Sequence, residues 1–423
     1  MQLKTTAPTS PRSELPFGLR ASVWLAPYGH WLLVLAVLAA ALMLFGMPFT
    51  PGSPVYHLDL DVYRLGAVAL LSGQDLYGVL PPTSSGIALP FTYPPFAALM
   101  FTPMALLPLW LTNLIFTSVS LGCLALTLWI AARELGASTT VKPVLFLLFV
   151  LAIALEPVRH TLGLGQINLL LMALVLADIS LGRGRWWQGS LIGLTIAIKL
   201  TPAVFLAFFL LNGRWRALGM GVLSALAATG FGFLVAFQDS VTYWFATITD
   251  PSRIGDLAYA GNQSLKGLLA RFSAAEVPLL WFALCAIVGL SVLYVGRRLI
   301  ARGDEFGAVL LLAIYVLFAS PVSWTHHWVW IVPALMYVAH RLSNGAPKTW
   351  TALLLGGAAI FAIGTPRLLP RGHDLELQWS WWQSLLGNAD ILWGIAFLVA
   401  LAASALRRAP ESLAVRVSSN TLA

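Results

Sequence analysis

The sequence predicts an all-α membrane protein, a polytopic bundle of transmembrane helices, from three observations. Of its 423 residues, 59% are hydrophobic and only 10% are charged, well below the roughly 25% charged residues of soluble domains. Apolar runs of about 20 residues, long enough to cross roughly 30 Å of hydrocarbon, recur along the whole chain. The 25 lysines and arginines are spread in ones and twos between these runs. That pattern indicates membrane topology and excludes the basic stripe of a nucleic-acid-binding protein.

Breaks at basic or proline- and glycine-rich stretches divide the chain into about twelve candidate crossings. In order they are about 30–49, 110–132, 144–155, 167–182, 188–198, 201–212, 217–237, 277–296, 307–320, 328–340, 350–364 and 389–406. The predicted organisation is a tail at 1–29, one transmembrane domain at 30–406 with outer loops at 50–109 and 238–276, and a tail at 407–423.

The positive-inside rule orients these crossings in a cell membrane. With the N-terminus in the cytoplasm, most lysines and arginines fall in cytoplasmic loops and both tails are cytoplasmic. A single helix over 188–212 would carry Lys199 near its centre and reverse everything downstream. Two short crossings that meet at Lys199-Leu200-Thr201-Pro202 are favoured instead, because proline suits the first turn of a helix. Each reaches only about 18 Å, so their outer ends should surround a water-accessible cavity.

The first outer loop contains the string Asp59-Leu60-Asp61-Val62-Tyr63. At a helical pitch Asp59 and Tyr63 share a face and Asp61 points elsewhere. A carboxylate at the mouth of an apolar cavity suits a general base, so Asp59 is the better-placed acid. Two alternatives stay open: Asp59 as a solvated loop acid or helix cap, and Asp61 as the reactive carboxylate.

A proline- and aromatic-rich string, Leu89-Pro90-Phe91-Thr92-Tyr93-Pro94-Pro95-Phe96, follows in the same loop. The prolines exclude a regular helix and the aromatic rings favour a membrane interface. We expect a stiff interfacial turn. Tyr93 and its neighbours either form a wall for a sugar or isoprenoid chain or serve the turn alone.

Further polar groups lie at the predicted outer ends of the middle crossings. Arg159 precedes Gln166 and Asn168, which begin an otherwise apolar helix. Ionisable groups at this depth are costly unless they are used or paired, and Arg159 has Glu156 as a possible partner. The ammonium of Lys199 either holds a phosphate or extends toward the membrane surface.

The later outer segments add two amide- and histidine-containing strings. Gln263 and Lys266 lie in the loop 238–276, and His326 and His327 follow crossing 307–320. Adjacent histidines on a helix point in different directions, so they cannot form an i, i+4 metal site. We expect no metal ion, and one imidazole that donates to a phosphate or a sugar hydroxyl.

Taken in order, these strings resemble glycosyltransferase family 87, membrane mannosyltransferases with a type C fold. The resemblance covers about residues 55–330, and the last hundred residues add little beyond hydropathy. Its strings are Asp59 to Tyr63, Gly73 to Tyr77, Phe91 to Pro95, Gly165 to Asn168, Lys199 to Pro202, Asn262 to Leu265 and Ser320 to His327.

The resemblance implies transfer of mannose from polyprenyl-phosphate-mannose to a lipid-linked mannoside, without a cofactor. The nearest likeness is to α-1,2-mannosyltransferases of phosphatidylinositol mannosides or lipomannan, although some members transfer arabinofuranose. It assigns the catalytic base to Asp59. The expected donor-binding residues are Lys199, Arg159, His326, His327, Gln166, Asn168, Gln263 and Lys266, with Asp61, Tyr63 and Tyr93 as secondary candidates.

An enzyme of this kind needs only one carboxylate. A polyprenyl phosphate is already a competent leaving group, and a single displacement would invert the donor linkage. The main alternative is a transporter or flippase of polyprenyl-linked sugars, which would place ionisable residues at the midplane or on both sides. Here they concentrate on the predicted outer side, which favours the enzyme.

Overall fold

A computed structural model describes residues 57–136, 142–250, 253, 255–272 and 278–407. Throughout these ranges the regular elements are helices, and the β-pairing is limited to one isolated bridge between Asn262 and Trp324. The predicted all-α class is therefore confirmed for this part of the chain. The predicted crossing at 30–49 and nearly all of both tails lie outside the described residues.

The first half of the described chain is a series of helices of very different lengths. They are α1 (Leu58–Leu71), α2 (Pro95–Ala105), α3 (Leu109–Glu134), α4 (Lys142–Ala154), α5 (Glu156–Leu164), α6 (Asn168–Ser180), α7 (Ser190–Ile198), a 3-10 helix (Thr201–Phe205), α8 (Leu206–Leu211), α9 (Trp215–Val235), α10 (Phe237–Phe245) and a 3-10 helix (Thr247–Thr249).

The second half continues in the same way and ends in a long apolar helix. Its elements are α11 (Leu265–Phe272), α12 (Pro278–Ile300), α13 (Glu305–Ala319), a 3-10 helix (Thr325–Trp330), α14 (Ile331–Ser343), α15 (Thr349–Ile363), 3-10 helices (Thr365–Leu368 and Leu375–Gln378), α16 (Trp381–Gly387) and α17 (Ala389–Leu406).

Four helices are long and apolar enough to cross a membrane: α3, α9, α12 and α17. A fifth candidate is the pair α4 and α5, which bends by 72° at Leu155. Helices that match other predicted crossings, such as α6, α13 and α15, have only 13 to 15 residues. The described chain thus has four or five candidate spans by length and composition.

The break predicted at Lys199 is confirmed. Helix α7 ends at Ile198, and Lys199 follows in an extended conformation with φ −150° and ψ 125°. The next 3-10 helix carries Pro202 in its first turn. The polypeptide therefore places a half-buried lysine at a break between two short helices, and not in the middle of one long helix.

The described part of the segment predicted as outer loop 50–109 contains more structure than the sequence indicated. It forms α1 and α2, and the proline-rich string is non-helical only as far as Pro94, after which Pro95 begins α2. The rings of Tyr63 and Phe101 stack at 4.5 Å between centroids. This region belongs to a small, aromatic-rich core that is separate from the larger hydrophobic core of the bundle.

Candidate active site

A cavity of about 530 Å³ contains most of the predicted site residues. Its walls come from α1, the proline-rich string, the joint at Lys199, the 3-10 helix at 325–330 and the segment after α15. The predicted residues in its lining are Asp59, Tyr63, Tyr93, Gln166, Lys199, His326 and His327. Segments far apart in sequence therefore meet at one site.

Asp59 is held by an amide whose orientation is fixed. Gln166 Nε2 donates to Asp59 Oδ2 at 2.8 Å. Its Oε1 accepts hydrogen bonds from the hydroxyls of Tyr63 at 2.7 Å and Tyr93 at 3.2 Å. Since both tyrosines donate to the oxygen, the amide nitrogen must face the carboxylate. Gln166, an expected donor-binding residue, lines the cavity and contacts the predicted base.

Gly165 brings Gln166 to this position. It ends α5 with φ 66°, a left-handed conformation that favours glycine. A Cβ at this position would lie 2.6 Å from Cβ of Leu60. A larger residue would therefore separate the start of α6 from α1, and Gln166 from Asp59.

The second acid of the motif has a different environment. Asp61 is buried, and its Oδ2 accepts from both the backbone N–H and the hydroxyl of Ser84 at 2.8 Å. It fixes the loop after α1 and is not part of the cavity lining. The geometry thus places Asp59, and not Asp61, beside Gln166 and the cavity.

Burial raises the pKa of Asp59 from its ordinary value to about 6. The hydrogen bond from Gln166 and the positive charge of Lys199 oppose this rise by stabilising the carboxylate. A carboxyl group with this pKa is largely ionised at neutral pH and still basic enough to accept a proton. Its electrostatics therefore suit a general base.

Lys199 lies across from this carboxylate. Its Nζ is 3.3 Å from Asn168 Oδ1 and 3.3 Å from His327 Nε2. An ammonium has donors only, so His327 presents a lone pair to it. Asn168 Nδ2 also donates to the carbonyl of His326 at 2.9 Å, so the start of α6 positions both the lysine and the histidine pair.

Three imidazoles extend from Lys199 along the cavity. The rings of His327 and His326 meet edge to face at 4.7 Å between centroids, and His326 meets His160 in the same way at 4.9 Å. His326 is only 5% exposed, yet neither ring nitrogen has a hydrogen-bond partner within the described chain. Buried polar atoms are nearly always satisfied, so His326 is well placed to bind a ligand.

The sequence model of glycosyltransferase family 87 matches residues 91–323 of this chain. The protein belongs to glycosyltransferase family 87. This membership decides in favour of the enzyme over the transporter. No solved structure gives a significant match.

Known proteins with similar sequences differ in the sugar that their names specify. The chain is 37% identical to the polyprenol-phosphate-mannose-dependent α-(1-2)-phosphatidylinositol mannoside mannosyltransferase of Mycolicibacterium smegmatis, over 89% of this chain and 90% of the relative. It is 32% identical to that organism's phosphatidylinositol pentamannoside enzyme, over 92% and 95%. It is 25% identical to an α-(1->3)-arabinofuranosyltransferase of Mycobacterium tuberculosis, over 73% and 70%.

Four expected donor-binding residues of this family 87 chain lie outside the cavity lining: Asn168, whose contacts with Lys199 and His326 are given above, and Arg159, Gln263 and Lys266. Arg159 Nη2 donates to the carbonyl of Ala362 at 2.9 Å. Gln263 is fully buried and its Nε2 donates to two backbone carbonyls at 2.7 Å. Lys266 Nζ lies 5.2 Å from the ring centroid of Trp281. These contacts connect elements of the fold.

Sequence reasoning missed two arginines of the cavity wall. Arg367 and Arg371 lie just after α15, in the last hundred residues, where only hydropathy was recognised. The membrane topology could have pointed to them. Both arginines fall in a short loop that is predicted to lie outside, where the positive-inside rule disfavours basic residues. Arg367 Nη1 is 3.2 Å from Glu156 Oε1, which also lies 3.2 Å from His160 Nδ1.

Among the described side chains, no group of three or more His, Cys, Asp or Glu is arranged to hold a metal ion. The ionisable groups of the cavity lining are instead the carboxylates of Asp59 and Asp250, one lysine, three imidazoles and three guanidinium groups. Of the two carboxylates, Asp59 is the one that accepts from Gln166. That arrangement is able to accept one proton and to surround one or more phosphates.

Proposed function

We propose that this protein transfers mannose from polyprenyl-phosphate-mannose to a phosphatidylinositol mannoside and forms an α-1,2 linkage. The observation that carries this proposal is the position of Asp59 and Lys199 in one cavity, a basic carboxylate beside a phosphate-binding cation. The names of the relatives at 32–37% identity support the sugar, donor and acceptor. Lipomannan is the alternative acceptor.

The proposed reaction is a single displacement. Asp59 takes the proton of an acceptor hydroxyl as the hydroxyl oxygen attacks the anomeric carbon of mannose. The bond from that carbon to the phosphate oxygen breaks, and its electron pair leaves with the polyprenyl phosphate. Attack opposite the leaving group inverts a β-linked donor to an α-linked product. One base is sufficient because the phosphate needs no proton to leave.

Lys199, His327 and His326 are proposed to receive the phosphate. Charge increases on the phosphate oxygens as the bond breaks, and fixed donors aimed at developing charge are usually a large catalytic term. Lys199 supplies a full positive charge next to His327. His326 has two ring nitrogens free for this purpose in the described structure, and a tautomer with one N–H can donate from either.

A site on the extracytoplasmic face explains how two lipids react. Both substrates have hydrocarbon tails that stay in the bilayer, and their head groups meet at the outer ends of the short helices. We propose about twelve crossings with both termini cytoplasmic, a catalytic domain at 30–406 and a type C arrangement. Reporter fusions test this topology: a fusion after residue 345 should be cytoplasmic and one after residue 372 extracytoplasmic. The opposite pattern contradicts it.

The direct test is transfer of radiolabelled mannose by the purified protein in lipid nanodiscs. Polyprenyl-phosphate-mannose and polyprenyl-phosphate-arabinose are offered in parallel with phosphatidylinositol mannoside as acceptor. We expect only mannose to be transferred, and the product to be cleaved by an α-1,2-specific mannosidase. Transfer of arabinose alone by folded protein would replace the proposed sugar. Binding of both donors with no transfer would overturn the proposed reaction.

A further inference from the structure

The cavity contains a second cationic centre, separate from Lys199. Nζ of Lys199 contacts His327, and the edge-to-face rings of His327, His326 and His160 follow in sequence. Beyond His160, Glu156 connects to Arg367 at 3.2 Å. Three imidazole rings and a carboxylate therefore separate Lys199 from Arg367.

Backbone geometry fixes the position of this second centre, which consists of Arg367 and Arg371. Arg367 lies on the 3-10 helix Thr365–Leu368, and Arg371 Nη1 donates to the Arg367 carbonyl. Gly364 before them has φ 71°, and a Cβ there would lie 2.7 Å from Cγ of Glu156. This close approach brings the segment after α15 against α5. The two arginines are thus held at the cavity wall by backbone geometry that requires glycine.

The local charge of this centre is positive. Glu156 Oε1 lies within 3.2 Å of three groups, since it accepts from Thr325 Oγ1 at 2.9 Å and contacts His160 and Arg367. In this network the Glu156 carboxylate contacts Arg367, and Arg371 adds a second guanidinium group, so the guanidinium charges exceed the carboxylate charge by one. The remaining arginine of the cavity wall, Arg253, donates to the carbonyl of Tyr77 at 2.8 Å.

A second phosphate is present in the proposed reaction. The donor has a phosphate, and a phosphatidylinositol-based acceptor has a phosphodiester between its inositol and its lipid. Planar guanidinium groups match phosphate oxygens in pairs of hydrogen bonds, whereas an ammonium acts as a point charge. The two centres therefore differ in chemistry as well as in position.

We propose that Arg367 and Arg371 bind the phosphodiester of the acceptor glycolipid. This rests on the proposed function and deepens it, because it assigns the donor phosphate to Lys199 and the acceptor phosphate to the arginines. Glu156 and His160 hold Arg367 in place and are positioning residues. The assignment makes the enzyme selective for glycolipids that have an anionic group between the sugar and the lipid tails.

The test compares two acceptors that differ in this phosphodiester. One is phosphatidylinositol mannoside, and the other is an alkyl α-mannoside without phosphate. The variants are Arg367→Gln, Arg371→Gln and the double variant, with Arg371→Lys as the conservative change. Arg298→Gln is the charge-matched control, because Arg298 is exposed at the end of α12 and is not part of the cavity lining.

The double variant should raise the KM for phosphatidylinositol mannoside about tenfold or more. The KM for the donor and turnover with the neutral acceptor should stay within about twofold. Arg371→Lys should recover part of the loss and Arg298→Gln should have no effect. A rise in the donor KM, or an equal loss with both acceptors, would overturn the assignment.

A binding measurement separates this inference from the proposed function. Native mass spectrometry of the detergent-solubilised protein measures retention of short-chain phosphatidylinositol against a neutral diacylglycerol mannoside, without any turnover. Wild type should retain the anionic lipid and the double variant should not. Equal retention by both proteins contradicts the arginine site even if mannose is transferred. Selective retention supports the site even if the transferred sugar is not mannose.

Discussion

The two sides of the cavity are built differently. On the Asp59 side, Gln166 uses both ends of its amide, one on the carboxylate and one on the hydroxyls of Tyr63 and Tyr93. On the histidine side, His326 is buried with no partner for either ring nitrogen in the described structure. The first side is complete before substrate arrives and orients one carboxylate. The second side leaves both ring nitrogens of His326 without a partner in the described structure, and we expect a charged ligand to satisfy them.

The largest expected effect is on the Asp59 side. Asp59→Asn should lower kcat by about 10²- to 10⁴-fold, the usual contribution of a general base, with donor binding retained. The matched control is Asp61→Asn, two residues along the same helix. Because Asp61 contacts Ser84 outside the cavity, its replacement should change kcat less than about fivefold. Equal losses of kcat in the two folded variants would contradict the assignment of the base to Asp59 and not to Asp61.

Lys199→Gln tests the other side. Removal of one fixed charge aimed at a leaving phosphate should lower kcat/KM by about 100-fold. It should also shift the acidic limb of the pH profile to higher pH, because Lys199 lowers the pKa of Asp59. A profile of kcat/KM between pH 5 and 8 measures both the loss of activity and the shift of the acidic limb. An unchanged acidic limb would show that the two sides are electrostatically independent.

The pH dependence of wild type follows from the pKa of Asp59, about 6. The base is active when ionised, so kcat/KM should rise by about tenfold between pH 5 and pH 7. Gln166→Leu removes a hydrogen bond that stabilises the carboxylate, so its acidic limb should move to higher pH. A mere packing defect would lower the rate without moving this limb.

The smallest expected effect comes from the tyrosines. Tyr63→Phe removes one hydrogen bond to Gln166 Oε1 and should lower kcat by about fivefold, since such bonds contribute about 1 kcal/mol. Tyr93→Phe should have a smaller effect because its bond to Gln166 is longer, 3.2 Å against 2.7 Å. Steady-state kinetics with both variants and their double mutant measure the coupling energy between the two tyrosines. A larger loss in Tyr93→Phe would contradict the proposed order.

Local sequence determined the helical class, many of the helix positions and the orientation of neighbouring side chains. The break at Lys199 follows from a lysine before Thr201 and Pro202 in an apolar stretch. The separation of Asp59 from Asp61 follows from helical periodicity. These features depend only on residues within one or two turns, which is why hydropathy, proline chemistry and spacing predict them.

Only the tertiary structure decided which polar groups meet. Gln166 and Asp59 are 107 positions apart, and their contact depends on the close approach that Gly165 allows. Arg367 reaches Glu156 across 211 positions, so hydropathy gave no indication of its role. Gln263 and Lys266 match the family's strings, yet their side chains contact the Gly387 carbonyl and the Trp281 ring outside the cavity lining. Sequence determines the local periodicity, whereas long-range packing determines which side chains of different helices share one cavity.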